Sequence, residues 1–335
     1  MQKKHEMARR QFLASGALAA IGMAMPLKAK GERKVRAEET PKGSAFTAWQ
    51  IPSHSNTIGN SYVFRTKTGK VIVMDGGFPE EAFTLRGFIG ALGNEVEAWF
   101  ISHPHDDHMG ALWEILKQGT QDLRIKAIYH SKITDEVIDA EPSEAGKTRD
   151  FYDRLSKCEA KVTDIQQAGQ VFDFDGMKLK IVSVATQLTV NPYNNNSMIM
   201  RVWDKRKSMV FLGDAGVECG DLALKGPYAQ DLNCDYLQMA HHGQNGCSEE
   251  FYRSIKFRAC LWPTPMWVWN NDTGKGFDTA NLTTVRTREW MDKIGIKEHH
   301  VSVRDGLWKL ESASPPSLSK GISLTPDPSK GEGDK

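Results

Sequence analysis

Within six residues, His103-Pro104-His105-Asp106-Asp107-His108, the chain carries four side chains that can bind a metal: His103, His105, Asp107 and His108. They follow directly on an apolar run, Val96 to Ile101, which reads as a β-strand. Gly110 reads as the point where the chain turns into a helix over Ala111 to Lys117. Histidines at i and i+2 on extended backbone point to one side, so His103 and His105 can share an ion. The Asp-His pair just beyond can reach a second one. Imidazole combined with carboxylate suits zinc or a similar divalent metal. A lone histidine would read as a surface or satisfied core residue, whereas four ligands in this order call for a metal site.

Three later stretches repeat the strand-then-ligand pattern. Val71 to Met74 ends in Asp75, Met209 to Leu212 ends in Gly213-Asp214, and Tyr236 to Ala240 leads into His241-His242-Gly243. In order and spacing, over about residues 45–312, these stretches resemble the metallo-β-lactamase superfamily. Asn194-Asn195-Asn196-Ser197 followed by Met198-Ile199-Met200, with the His-His-Gly loop, is similar to one branch. That branch contains the extracytoplasmic hydrolase domain of DNA-uptake (competence) proteins, and bacterial phosphorylcholine esterases are similar too. The resemblance implies an α/β fold: an αββα sandwich of two mixed β-sheets flanked by helices, with all ligands on loops at one edge.

By the same resemblance, His103 and His105 hold one metal, Asp107, His108 and His241 hold a second, and Asp214 bridges them. The resemblance further implies a hydroxide between the two metals as nucleophile, with Asp107, Asp214 and His241 as the catalytic set. Zinc is the expected metal and manganese the alternative. Asp75 is expected to support a ligand histidine by a hydrogen bond rather than bind the metal. Of the adjacent pair, His241 is expected to be the ligand because it lies nearer the strand end, and His242 is a supporting candidate. One departure stands out. Where most members place a third-motif histidine, this chain has Asn194, Asn195, Asn196 and Ser197. Asparagine is a poor zinc ligand, so Asn194 and Asn196 read either as weak supporting groups or as turn caps.

The N-terminus reads as an export signal. Arg9-Arg10-Gln11-Phe12-Leu13 has a twin-arginine pattern, followed by a weakly apolar stretch from Ala14 to Met25 that is too short to span a membrane. The expected organisation is a signal over 1–29, a polar linker over 30–44, a hydrolase domain over 45–312 and a Pro, Ser, Gly and Lys-rich disordered tail over 313–335. The protein is thus expected in the periplasm or outside the cell, with no span in the mature chain. Five cations against Glu6 give residues 1–29 a net charge of +4, so a chain of net +1 leaves a mature protein near −3. A protein gripping long nucleic acid usually shows a basic surplus, so that partner is not favoured. The five cysteines have no C-x-x-C spacing and read mostly as buried thiols.

Strands are predicted at Ala45 to Ile51, Ser61 to Thr66, Arg124 to Tyr129 and Phe257 to Trp262, and helices at Glu80 to Leu92, Glu144 to Ala160 and Thr279 to Lys293. Hairpins are predicted around Asp175-Gly176, between Met198 to Trp203 and Ser208 to Leu212, and around Asp305-Gly306 as the closing element. Between Leu261 and Asn271 lie three of the nine Trp. Trp267 and Trp269 read either as one face of a loop over the metal pocket, able to stack on a ring or hold a cation, or as ordinary packing. His54 reads as a pocket or surface residue.

The leading functional expectation is an exported dinuclear hydrolase of a phosphoester, small or polymeric. One alternative is hydrolysis of a lactone, thioester or β-lactam on the same metals. The other is a non-catalytic metal-binding or sensing protein.

Overall fold

The computed structural model describes residues 44–311. The expected export signal, nearly all of the linker, and the tail lie outside the described residues.

Alternating apolar residues drive the architecture. Phe46 and Ala48, Tyr62 and Phe64, Ile72 and Met74, and Ala98 and Phe100 point from one seven-stranded sheet into a shared core. Leu179 and Ile181, Met200 and Val202, and Met209 and Phe211 meet them from a second seven-stranded sheet. The residues between them point outward and are covered by helices. Val63, Val73 and Trp99 pack under Leu85, Ile89, Leu112 and Phe151. On the other side Ile199, Val210 and Leu237 pack under Cys219, Phe251 and Met291. Strands in the middle of such a stack are buried on both faces, which is why Val71–Asp75 and Ala259–Trp262 are apolar almost throughout. The result is the four-layer αββα sandwich expected from the sequence.

The two sheets are built alike. The first runs Trp308–Leu310, Phe46–Gln50, Ser61–Thr66, Val71–Asp75, Ala98–Phe100, Ala127–His130, Lys161–Asp164. Its first four strands are antiparallel neighbours, and Val71–Asp75 onward are parallel. The second runs Val171–Phe174, Met177–Ser183, Ile199–Trp203, Ser208–Phe211, Tyr236–Gln238, Ala259–Trp262, Glu298–Val301 and changes from antiparallel to parallel in the same way. The turn at Asp175-Gly176 takes φ 56° and 93°, both left-handed, as a tight two-residue hairpin requires.

The closing hairpin expected around Asp305-Gly306 does not form. Glu298–Val301 pairs with Ala259–Trp262 in the second sheet, and Trp308–Leu310 pairs with Phe46–Gln50 in the first. A short helical turn, Ser302–Asp305, carries the chain from one sheet to the other. Gly110 is also not a turn. The helix starts at Asp106, and Gly110 lies inside it, where a Cβ would come within 2.6 Å of Pro79 Cδ and 2.9 Å of Gly77 O. Its small size lets the ligand-bearing helix lie against the loop that follows Asp75. All five cysteines are free, and burial pushes the Cys219 thiol up to about 12.

One core histidine makes stability depend on pH. The buried Trp262 indole donates to His299 Nδ1 at 3.1 Å, so that nitrogen must carry a lone pair. Burial holds the ring's pKa down at about 4. The stabilisation is therefore complete above the unfolded value near 6.5 and is lost as pH falls through about 4. His130 is depressed to about 4 by burial as well. Urea titrations from pH 7 to 4.5 are expected to show falling stability, up to about 1.4 kcal/mol per pH unit for each proton taken up. His299→Gln should lower stability at pH 7 but flatten that decline, and an unchanged decline would contradict the assignment.

Candidate metal centre

Four strand ends converge at one edge of the sandwich, two from each sheet. Asp75 ends Val71–Asp75, and His103 and His105 follow its parallel neighbour Ala98–Phe100. Asp214 follows Ser208–Phe211, and the His241-His242 pair follows its parallel neighbour Tyr236–Gln238. The carboxyl ends of parallel strands are where α/β folds open a crevice. Asp107 and His108 sit in the first turn of the helix Asp106–Gln118, whose N-terminal dipole favours the carboxylate.

The ligand atoms fall into two clusters joined by one residue. Asp107, His108, Asp214 and His242 each bring an atom within 4.8 Å of the others, and so do His103, His105 and Asp214. All are buried except His105, which is partly so. His108 Nε2 and Asp214 Oδ1 form a buried ion pair at 3.0 Å, yet neither atom has a partner in hydrogen-bond geometry. His103 Nε2 faces His105 Nδ1 across 3.0 Å. Buried polar atoms aimed at a common point without partners are unusual, and a divalent cation satisfies them. The donor set of imidazoles and carboxylates fits divalent metal ions.

Each histidine is aimed from behind. His108 Nδ1 lies 2.8 Å from Asp75 Oδ2, leaving Nε2 for the cluster. His242 Nδ1 donates to Pro263 O at 3.0 Å, and its Nε2 lies 2.8 Å from Asp107 and 3.3 Å from Asp214. His103 Nδ1 faces the hydroxyls of Ser102 and Ser197 at 3.1 and 3.3 Å. His105 is turned round: its Nε2 meets Glu141 at 3.2 Å and its Nδ1 faces the cluster. Asp75 is itself held by Asn60, by the Ser102 backbone and by the Ser102 hydroxyl at 2.7–2.8 Å. It lies behind His108, on the side away from the cluster.

Charge is balanced inside the site. Burial lowers the pKa of His242, but Asp214 and Asp107 outweigh it and raise it to about 9. His108 is raised well above its ordinary value by Asp214, Asp107 and Asp75 against the same burial penalty. Burial works to raise Asp214, yet the neighbouring histidines, His108 foremost, hold it well below the usual carboxylate range.

The structure corrects the choice within the His-His pair: His242, not His241, joins Asp107, His108 and Asp214. The cause is backbone shape. His241, His242 and Gly243 take φ 52°, 55° and 84°, three left-handed residues in a row. That turn swings His242 back under the strand ends and leaves His241 at the rim, with Nε2 3.8 Å from Asp214 Oδ2. Gly243 is required in this turn, since a Cβ there would come within 2.5 Å of the Trp262 ring.

The other expected positions divide. Asn196 spends its amide on the loop, accepting from Gln187 N and donating to Leu188 O and Pro192 O. Asn194 Nδ2 donates to Asn191 Oδ1, while its buried Oδ1 has no hydrogen-bond partner. These residues brace the turn, and Ser197 beside them reaches both His103 and the Asp214 backbone. His54 does not join the cluster. It is 47% exposed and pairs with Glu81 at 2.5 Å. Trp267 and Trp269 do not line one face, because Met266–Trp269 is a helical turn and i, i+2 residues on a helix diverge. Trp269 packs edge-on to Trp262 at 5.4 Å and under the Arg288 guanidinium at 4.3 Å, partly buried against the core. Trp267 is half-buried. Sequence reasoning missed Glu141, Ser102 and Ser197 as groups behind the ligands. Ser102 abuts the histidine motif, but Glu141 carries no local signal beyond being an unusual residue at a helix start.

The sequence profile of the metallo-β-lactamase superfamily matches residues 55–246, more than half of the chain and all of the ligand positions. The chain belongs to the metallo-β-lactamase superfamily. Members are typically metal-dependent hydrolases, and the His/Asp clusters agree with that chemistry. Among solved structures, the metallo-β-lactamase fold protein YhfI from Bacillus subtilis is 13% identical, with TM-score 0.49, covering 79% of this chain and 99% of its own. A variant of the CmlA β-hydroxylase is 12% identical, with TM-score 0.48 and coverage of 82% and 55%. A diphosphatase from the PhnP family is 12% identical, with TM-score 0.42 and coverage of 79% and 98%. No curated protein matches the chain.

Proposed function

We propose that this metallo-β-lactamase superfamily member is a dinuclear metallohydrolase of phosphoesters. The observation that carries this reading is the pair of ligand clusters sharing Asp214. Two divalent ions held there would lower the pKa of water and clamp both oxygens of an in-line displacement. The chain's own part is to fix the two positions. Asp214 ties them together, Asp75 and Pro263 O set the directions of His108 and His242, and Ser102 and Ser197 set that of His103. The first cluster has three protein ligands among the described residues, His103, His105 and Asp214, with Asn196 committed to its loop. That leaves room for a substrate oxygen. Zinc is the proposed metal and manganese the alternative.

The twin-arginine pattern supports export, so we place the reaction outside the cytoplasm. The net charge near −3 for the chain beyond residue 29 favours a small phosphodiester or a phospho-decorated head group over long DNA.

The test is a panel assay of the zinc- and manganese-loaded protein on bis-p-nitrophenyl phosphate, a lactone, a thioester and a β-lactam. Turnover of the phosphodiester that disappears in Asp214→Ala is expected. Turnover of a carbon ester alone would replace this reading with the carbon-ester one. Bound metal without turnover of any substrate would leave a binding or sensing protein.

A further inference from the structure

We propose that Glu141 is a positioning residue for the first metal, acting through His105 by fixing which ring nitrogen carries the proton. The inference rests on reading His103, His105 and Asp214 as that metal's ligands.

Glu141 occupies the N-cap position of the helix Pro142–Lys157, where Ser, Thr, Asp or Asn usually caps the free N–H groups. Its side chain makes no capping bond. It leaves the helix and meets His105 Nε2 at 3.2 Å. The His105 contact holds this carboxylate below its ordinary pKa. Tyr193 stacks on the His105 ring at 4.9 Å and 12°, and its hydroxyl accepts from Thr148 on the same helix at 3.0 Å. The ring is therefore fixed on one face and at one nitrogen. A carboxylate can only accept, so Nε2 carries a hydrogen and Nδ1 is the ring nitrogen left for a metal. Nδ1 faces His103 Nε2 at 3.0 Å, inside the first cluster.

The arrangement singles out the first site. His108 and His242 present Nε2 and are aimed by Asp75 and Pro263 O, with no contribution from Glu141. Loss of Glu141 should free His105 to take the other tautomer, which points N–H at the metal position. Groups of this kind typically change metal affinity about 10–100-fold.

The experiment compares wild type, Glu141→Ala and Glu141→Gln by two readouts. Nitrogen-15 NMR of the metal-free proteins, at a pH high enough to keep the ring neutral, reports the His105 tautomer, and chelator competition with zinc reports the affinity of each site. Wild type should show His105 protonated at Nε2 and two zinc affinities. Glu141→Ala should lose that single tautomer and weaken one zinc about 10–100-fold with the other unchanged. Glu141→Gln should restore most of both, since the amide oxygen still accepts. Glu141 is part-exposed, with its side chain at 32%, so both variants are expected to fold, and a thermal melt checks this. An unchanged tautomer with unchanged zinc affinities in Glu141→Ala overturns the proposal. A wild type that binds no zinc while its His105 tautomer still depends on Glu141 sinks the metal reading and leaves the positioning of the ring intact.

Discussion

Asp214→Ala is expected to hold at most one divalent ion per chain and to turn over phosphodiester at least about 10³-fold more slowly than wild type. Asp214 is the one side chain common to both clusters, so its loss removes a ligand from each. The first cluster would be left with two histidines, too few for a tight zinc site. The effect extends to the metal-free fold. Asp214 is buried at 1% exposure against His108 at 3.0 Å and His242 at 3.3 Å, and deleting it leaves two buried imidazoles short of a counter-charge. Breaking a buried pair from one side costs about 3–5 kcal/mol. Asp214→Asn, which keeps the shape, should lose the metal with a smaller drop in stability. Metal analysis with a thermal melt separates the two losses. Two ions retained by Asp214→Ala would refute the shared-ligand geometry.

The adjacent histidines should behave differently. His242→Ala is expected to bring metal content from about two ions to about one and to lower turnover by roughly two to three orders of magnitude. His241→Ala is expected to keep both ions. His242 is fully buried, donates to Pro263 O and aims Nε2 at Asp107 and Asp214, whereas His241 stands 3.8 Å from Asp214 with Nδ1 unpartnered. Metal content is the deciding readout, because a rim histidine can touch substrate and change turnover without touching the metal count. Loss of an ion in His241→Ala with retention in His242→Ala would reverse the assignment.

Much of this was legible in the sequence because it rests on short-range rules. Apolar runs marked the strands at Ser61–Thr66, Val71–Asp75 and Ser208–Phe211, and Asp75 and Asp214 stand at or just after the ends of the last two. What escaped depends on backbone torsions and on long-range contacts. Nearness to the strand end favoured His241, but three left-handed residues decided for His242. Asp305-Gly306 resembled a hairpin turn because its residues suit one, yet the strands on either side join different sheets. Of the two readings of Trp269, pocket wall or ordinary packing, its contacts with Trp262 and Arg288 favour packing. Glu141 lies 36 positions from His105, and no spacing rule connects them. The short helices Asp135–Asp139 and Glu249–Ser254 were missed because one or two turns carry little periodic signal, although the Thr134 and Ser248 caps were there to be read.

The central claim is that this fold edge holds two divalent ions through one shared carboxylate. The most direct measurement is the metal content of the full-length protein after reloading with zinc or manganese and removal of free ion. The account predicts about two ions per chain. A protein that binds none would contradict it, as would one that binds a single ion with the same affinity when Asp214 is replaced.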